Sequence, residues 1–332
     1  MMKVYIFKRL ATVIPMSLLV VSVTWGLIRI APGNFYLSEK KLPAAIEQNI
    51  KKKYGLESSL VEQYLMMLGN MTCRVSDSGD SEGAGLKIAV GSRTLRCFDF
   101  GYSLKYEGQS VNEILSRHLP YSAVIGVLAF LIALVGGVSL GAVAATRKDS
   151  RVDRYLMSLS IIGISVPTFV LAPVLVLAFS FGLYWFPPAR WGGMAHLVLP
   201  VLSLSAAYLA YIARLTRTGL IEVLRSDYIR TARAKGLSET RVVVGHALKA
   251  GILPVVSFSG PAIAGLLAGS VVIERIFAIP GLGNIFVQSV LNRDEPLTLG
   301  IVAFVSIVIL VCNLVVDIVY ALIDPRIRFG ER

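Results

Sequence analysis

Long apolar runs separated by charged segments dominate the chain. A helix that crosses a bilayer needs about 20 mostly apolar residues, because the hydrocarbon core is about 30 Å thick. Runs of this kind cover residues 10–30, 120–145, 155–189, 191–213, 252–273 and 296–323. The long third run is interpreted as one helix, with Phe186-Pro187-Pro188 forming an interfacial loop after it. The pattern therefore predicts an all-α membrane protein with six transmembrane helices.

The basic residues of the connecting segments concentrate on one side of this pattern. The N-terminus, the connections after the second and fourth runs and the tail together hold 18 of them, against Arg190 and Arg293 in the short opposite loops. The positive-inside rule then places both termini in the cytoplasm. The net charge of +12 is explained by this orientation, so it does not indicate nucleic-acid binding.

Residues 31–118 form a separate extracytoplasmic segment between the first and second spans. The segment has 11 basic and 10 acidic residues and no apolar run long enough to cross a membrane. Residues 76–85 are polar and glycine-rich, which predicts a flexible surface loop. Cys73 and Cys97 flank this loop, and outside the cytoplasm they are reasonable disulfide partners, with two free thiols as the alternative. The predicted divisions of the chain are 1–30 (N-terminus and first span), 31–118 and 119–332 (five-span core).

The connection between the fourth and fifth spans, residues 214–252, has the pattern of a docking element. Its apolar residues recur at helical intervals, at Leu220, Val223, Leu224 and Tyr228. Gly236 is suited to end a helix, and Leu237-Ser238 places an apolar residue before a serine N-cap. The pattern predicts a helix–turn–helix in the cytosol. Composition alone is equally compatible with a basic loop lying on anionic lipid headgroups.

The residues of this connection resemble the EAA loop of ABC-transporter permeases. The similar stretches are residues 228–237 (YIRTARAKGL), His246-Ala247-Leu248 and Leu253-Pro254, in the form typical of the dipeptide/oligopeptide/nickel branch. Further similar landmarks lie at residues 29–33, 54–56, 98–103, 119–120, 274–283 and 324–326. Arg230 stands where the glutamate that names the loop is expected, and residues 71–96 are longer than usual. The chain is thus similar to the B-type permease subunits of that importer family.

This resemblance implies a multi-pass permease of the bacterial cytoplasmic (inner) membrane, forming half of the pathway of an ATP-driven importer. The implied partners are a second homologous permease subunit, two cytoplasmic ABC ATPase subunits, an extracytoplasmic substrate-binding protein and membrane lipid. The residues expected to couple to the ATPases are Arg230, Thr231, Ala232, Ala234, Gly236 and Leu237. The cargo is expected to be a peptide, while its length, a nickel chelate or another solute are not distinguished.

No catalytic residue, cofactor or metal site is expected in this chain. It has no G-x-x-x-x-G-K-[ST] phosphate cradle, so ATP hydrolysis is assigned to partner subunits. The three cysteines include no pair at C-x-x-C spacing, which argues against a zinc ribbon or an iron–sulfur site.

Several residues within the spans admit more than one interpretation. Glu274-Arg275, at the outer end of the fifth span, is compatible with the external mouth of the pathway and with an interfacial ion pair. The pairs Gly137/Gly141 and Gly265/Gly269 have the G-x-x-x-G spacing and predict close helix packing.

Two other classes of protein compete with the permease hypothesis. A secondary transporter driven by an ion gradient would show inverted repeats and acidic residues in paired spans, whereas only Asp317 is clearly intramembrane. A membrane-embedded enzyme would need its catalytic groups in residues 31–118, which show no nucleophile–base motif.

Overall fold

A computed structural model describes residues 2–30, 58–71, 74–77, 86–90 and 93–323. The chain divides into two compact units, each with its own apolar core. Unit 1 comprises Met1–Pro15, Pro120–Asn284 and Val305–Arg332, and unit 2 comprises Met16–Leu119 and Ile285–Phe304.

The described residues are mostly helical. The helices are α1 (Met2–Ile30), α2 (Leu60–Met71), α3 (Val111–Thr146), α4 (Arg151–Ser165), α5 (Thr168–Val176), α6 (Met194–Val223), α7 (Asp227–Ala234), α8 (Glu239–Arg241), α9 (Leu248–Gly251), α10 (Leu253–Leu267), α11 (Val271–Ile276), α12 (Leu282–Leu291) and α13 (Glu295–Ile323). Two π-helical stretches, Leu177–Gly182 and Val242–Ala247, continue α5 and join α8 to α9.

Four helical segments of the described chain are long and apolar enough to cross a membrane. They are Val111–Thr146, Met194–Val223, Leu253–Ile276 and Glu295–Tyr320. The pair α4 and α5 supplies a fifth span if the two bent halves are counted together. The apolar part of α1, Pro15–Ile30, is shorter than these. A multi-pass helical membrane protein is confirmed in this coarse form, and the sixth span stays a prediction.

The third apolar run is broken, so its interpretation as one continuous helix is wrong. α4 ends at Ser165, and α5 starts at Thr168 after a bend of 103°. Val166 is extended, with φ −80° and ψ 114°, because the ring of the following Pro167 disfavours helical geometry in the residue before it. Pro167 also has no N–H to continue the helical ladder. The Phe186-Pro187-Pro188 segment lies outside helix, as expected.

The all-α prediction is also wrong for part of unit 2. Three short strands, β1 (Arg74–Asp77), β2 (Leu86–Val90) and β3 (Arg93–Cys97), form an antiparallel sheet in the order β1-β3-β2. The apolar residues of β2 alternate with period two, which is the pattern of a strand. The first two residues of the predicted flexible loop, Ser76 and Asp77, belong to β1. The rest of that loop lies outside the described residues.

Close helix approach in unit 1 confirms the packing role predicted for Gly137 and Gly141. A Cβ atom on Gly137 would overlap Ile212 of α6, and one on Gly141 would overlap the carbonyl oxygen of Ala213. Because glycine alone leaves this space free, the backbones of α3 and α6 lie in direct contact.

Unit 2 packs around Val21, Leu299 and Ala303, with Trp25, Ile28, Met67 and Phe100 against them. The buried Asp294 carboxylate precedes α13 and accepts hydrogen bonds from the Ser103 hydroxyl and the Leu104 N–H. Arg29, at the end of α1, binds Glu295 at 3.0 Å. Phe100, within the landmark at residues 98–103, packs against this core.

Candidate functional site

The connection between α6 and α10 begins with a turn that separates α7 from the long helix α6. Ser226 is extended, with φ −71° and ψ 154°, and precedes the first residue of α7. Its hydroxyl donates to the Val223 carbonyl at 2.7 Å rather than accepting from an α7 N–H. Asp227 in the first turn places a negative charge where the helix dipole favours one. α7 is therefore a separate short helix.

Gly236 ends α7 in the left-handed conformation, as the sequence predicts. Its φ is +78°, and its N–H donates to the Arg233 carbonyl at 2.9 Å. The N–H of Leu237 donates to the Ala232 carbonyl at 3.4 Å, which completes a Schellman motif. A Cβ atom on Gly236 would meet no atom within 4 Å, so the backbone conformation and not the available space demands glycine here.

A second helical stretch follows the Gly236 turn at once. Ser238 occupies the N-cap position with extended backbone, although its side chain makes no capping hydrogen bond. From Glu239 the chain stays helical to Gly251, through α8, the π-helical residues and α9. The predicted helix–turn–helix is therefore present.

The inner face of this connection packs into a buried apolar cluster, here called the connection core. Its members come from α3, α6, α7 and the π-helical stretch and are Ala145, Leu220, Ile229, Ala232, Val242 and Ala247. Leu237 packs against the same cluster. Of the predicted coupling residues, Ala232 is thus buried in this core, and Leu237 is half-buried against it.

The other predicted coupling residues share an exposed face, here called the α7 surface. It comprises Tyr228, Arg230, Thr231, Ala234, Lys235 and Gly236. Thr231 donates its hydroxyl to the Asp227 carbonyl at 3.0 Å, and Arg230 lies 3.6 Å from the Asp227 carboxylate. The surface is therefore basic, with small residues between its charges.

Tyr228 and Lys235 were not indicated as surface residues by the sequence pattern. Tyr228 continues the helical spacing of Leu220 and Leu224, which suggested a position facing the core. The turn before Asp227 resets the helical phase, and Tyr228 is about half exposed. The signal that could have placed it is Ser226-Asp227, an N-cap residue followed by an acidic first turn.

Arg233 and Glu239 join α7 to α8 across the Gly236 turn. The guanidinium binds the carboxylate through two atoms, with Nη2 to Oε1 at 2.6 Å and Nε to Oε2 at 3.1 Å. The hydrogen bonds from Arg233 lower the pKa of the Glu239 carboxyl below its ordinary value. The pair therefore stays ionised at neutral pH and bridges the two helices across the turn.

Glu274 and Arg275, on α11, occupy different environments. Glu274 is buried: the Ser122 hydroxyl donates to Oε1 at 2.7 Å, and the Asn284 N–H donates to Oε2 at 2.8 Å. The Leu282 N–H in turn donates to Ser122 Oγ at 2.8 Å. Arg275 is exposed. No ion pair joins Glu274 to Arg275 in the part of the chain that the structure describes.

The structure describes two of the three cysteines, Cys97 and Cys312. Cys73 lies outside the described residues, whereas Cys97 ends β3 and Cys312 is a half-buried free thiol in α13. Within the described ranges, no group of three or more His, Cys, Asp or Glu side chains is arranged to hold a metal ion.

Comparisons with known proteins agree with these features of the chain. Residues 137–329 match the family described as binding-protein-dependent transport system inner membrane component. The chain is 42% identical over 327 residues to the oligopeptide transport system permease protein OppB of Haemophilus influenzae, with 98% of this chain and 99% of that protein covered. It is 37% identical to the dipeptide transport system permease protein DppB of Bacillus subtilis, with 99% of each covered.

A solved structure shares the fold. A chain of the MetNI methionine ABC transporter, in an inward-facing conformation, superposes with a TM-score of 0.55 over 64% of this chain and 97% of that one, at 16% identity. At this identity the likeness concerns the fold alone. With the family match over more than half of the chain and the relatives aligned over nearly all of it, the chain belongs to the binding-protein-dependent transport system inner membrane components.

Proposed function

We propose that this chain is the B-type permease subunit of an ATP-driven ABC importer of peptides and forms half of its translocation pathway. The observation that carries the proposal is the α7 surface, a short helix fixed on its inner side and exposed on its outer side. Family membership favours this function over an ion-gradient-driven transporter.

The connection is built as a rigid lever. Ile229 and Ala232 anchor α7 in the connection core, and Gly219 of α6 touches the Gly251 backbone so closely that a Cβ atom would overlap its carbonyl oxygen. The Arg233–Glu239 pair closes the turn between α7 and α8. Because α7 is held along its inner face and at the turn that ends it, a displacement of α7 is passed on rather than absorbed.

The proposed partners are those that membership of this importer family implies. Two cytoplasmic ATPase subunits would grip the α7 surfaces of this chain and of a second, homologous permease subunit. Exposed Arg230 and Lys235 suit an acidic groove, and Thr231, Ala234 and Gly236 are small enough to enter it. An extracytoplasmic binding protein would deliver the cargo. The relatives named for oligopeptide and dipeptide transport support a peptide cargo.

The proposed topology has six spans, with α1 as the first and both termini in the cytoplasm of a bacterial inner membrane. Residues 31–118, which include α2 and the small sheet, then lie outside the cytoplasm. In this orientation α11 lies at the outer end of the fifth span. Exposed Arg275 is proposed at the external mouth of the pathway, while buried Glu274 stabilises the adjacent backbone through its hydrogen bonds.

Reconstitution into vesicles tests the proposed function. The vesicles contain this chain and the second permease, with both ATPases facing the lumen and the binding protein outside. They should take up external peptide when ATP is enclosed in the lumen. Omission of the ATPases should abolish uptake. Peptide uptake by this chain alone, driven by a proton gradient, would contradict the proposal and favour a secondary transporter.

A disulfide between Cys73 and Cys97 is a separate prediction of the topology. Residues outside the cytoplasm meet oxidising conditions, and the bridge would stabilise the segment by about 3 kcal/mol in the chain-entropy account. Mass mapping under non-reducing conditions should recover a peptide pair containing both cysteines, with Cys312 alkylated as the internal control. Two alkylated thiols at positions 73 and 97 in isolated membranes would refute the bridge.

A further inference from the structure

An ion pair between a buried carboxylate and a half-buried guanidinium joins α4 to α6, beside the connection that carries α7. Asp153 lies in the first turn of α4, and its side chain is only 3% exposed. Arg217 of α6 binds it through two atoms, with Nε to Oδ1 at 2.6 Å and Nη2 to Oδ2 at 2.7 Å. The Asp149 N–H donates to Oδ2 at 2.9 Å. The carboxylate is thus fully engaged, and its orientation is fixed.

The last two turns of α6 contact three neighbours within five residues. Thr216 lies against Gly141 of α3, Arg217 binds Asp153 of α4, and Gly219 lies against Gly251 of α9. Leu220 belongs to the connection core on which α7 rests. This end of α6 is therefore the junction between α7 and three other helices, α3, α4 and α9.

We infer that the Arg217–Asp153 pair carries the movement of α7 into α4, so that the third span moves with the ATPases as well as the fourth and fifth. This inference rests on the proposed function and adds a route to it. The coupling residues that the resemblance implies lie in the connection between the fourth and fifth spans, whereas α4 belongs to the third. Arg217 and Asp153 act here as positioning residues, since neither lies on the α7 surface.

The geometry of the pair suits a mechanical link. A guanidinium that binds a carboxylate through two nitrogens fixes angle as well as distance, which a single contact from lysine would not do. The pair is also costly to separate, because the buried Asp153 carboxylate alone would be an uncompensated charge.

The bend after α4 gives such a link a consequence. α4 is a separate helix that ends at Ser165, and the chain bends by 103° at Val166-Pro167 before α5 begins. A push on the first turn of α4 therefore tilts α4 as a unit about this bend. A continuous helix would transmit the same push along its whole axis.

Removal of the pair should uncouple transport from ATP hydrolysis. We expect Asp153→Asn and Arg217→Gln, in the reconstituted full complex, to lower the peptide taken up per ATP hydrolysed by about 5- to 150-fold. Arg217→Lys, which keeps the charge but loses the two-nitrogen contact, should fall between them and the unmodified protein. The double variant Asp153→Asn/Arg217→Gln should be no worse than the worse single variant, because the two residues act as one unit.

Two controls separate coupling from folding and from docking. Lys148→Gln removes an exposed ion pair of the same loop, Lys148–Asp149 at 3.8 Å, and should leave the ratio unchanged. The ATPases should still copurify with every variant, in unchanged amount per permease. A merely structural role would lower the yield of complex but not the ratio measured on purified complex.

The outcomes that overturn the inference are distinct from those that overturn the proposed function. The inference is overturned if the ratio of peptide taken up to ATP hydrolysed is unchanged in Arg217→Lys and in those of the Asp153→Asn and Arg217→Gln complexes that assemble. Loss of ATPase copurification in these variants also overturns it, because the pair would then serve docking. Absence of ATP-dependent uptake by the unmodified complex would instead remove the proposed function itself.

Discussion

Replacing Gly236 with glutamate should reduce peptide uptake about a hundredfold while the chain still inserts into the membrane. Two effects add at this position. A residue with a Cβ atom is strained by about 1–2 kcal/mol at a φ of +78°. A carboxylate at the C-terminal end of α7 also opposes the helix dipole and places a negative charge on a basic surface. Uptake by reconstituted vesicles and copurification of the ATPases are the measurements.

Smaller substitutions at Gly236 separate the two effects. Since no atom lies within 4 Å of a Cβ built there, Gly236→Ala adds backbone strain without a clash. Gly236→Asn should be milder, because asparagine visits the left-handed region more readily than alanine. We expect the loss of uptake to decrease from Gly236→Glu to Gly236→Ala to Gly236→Asn. Only Gly236→Glu should lose copurification of the ATPases. Normal uptake by Gly236→Glu would show that the α7 surface does not couple.

The sequence was sufficient to predict the Gly236 turn, because left-handed geometry and an N-cap leave local signatures. It was not sufficient to separate inner from outer residues on α7. Ala232 and Ala234 are the same residue type two positions apart, yet one is buried and the other exposed. Which alanine faces the core depends on where the helix starts relative to α6, and therefore on the phase set at Ser226.

Contacts between distant segments were beyond the sequence pattern for a different reason. Asp153 and Arg217 are 64 residues apart, and each appears locally as one more charge beside an apolar run. Only the packing of α4 on α6 shows that they meet. The bend at Val166-Pro167 has a local signal, because a proline disfavours helical geometry in the residue before it. The uncharged length of the run nevertheless favours one continuous helix. The strands of unit 2 were missed because four or five residues alternate too briefly to stand out.

Glu274→Ala should destabilise the protein by about 1–3 kcal/mol for each hydrogen-bond donor left unsatisfied. The carboxylate accepts hydrogen bonds from the Ser122 hydroxyl and the Asn284 N–H, and both donors would be left buried without it. Glu274→Gln keeps the shape but loses the charge and one acceptor, so a cost of about 1–3 kcal/mol is expected. Thermal unfolding of the purified complex is the measurement, with a lower Tm for both variants.

The glycines around this carboxylate provide a matched test of the same interpretation. A Cβ atom on Gly281 would overlap the Glu274 carboxylate, whereas one on Gly265 would meet only the Tyr208 hydroxyl at an ordinary 3.5 Å. Gly281→Ala should therefore lower the Tm as Glu274→Gln does, and Gly265→Ala should leave it nearly unchanged. If Glu274 instead lined the pathway directly, Glu274→Gln would alter the peptide concentration needed for half-maximal uptake and leave the Tm unaffected. A carboxylate enclosed by α3, α11 and the first turn of α12 favours the first result, because its hydrogen bonds join these three helices.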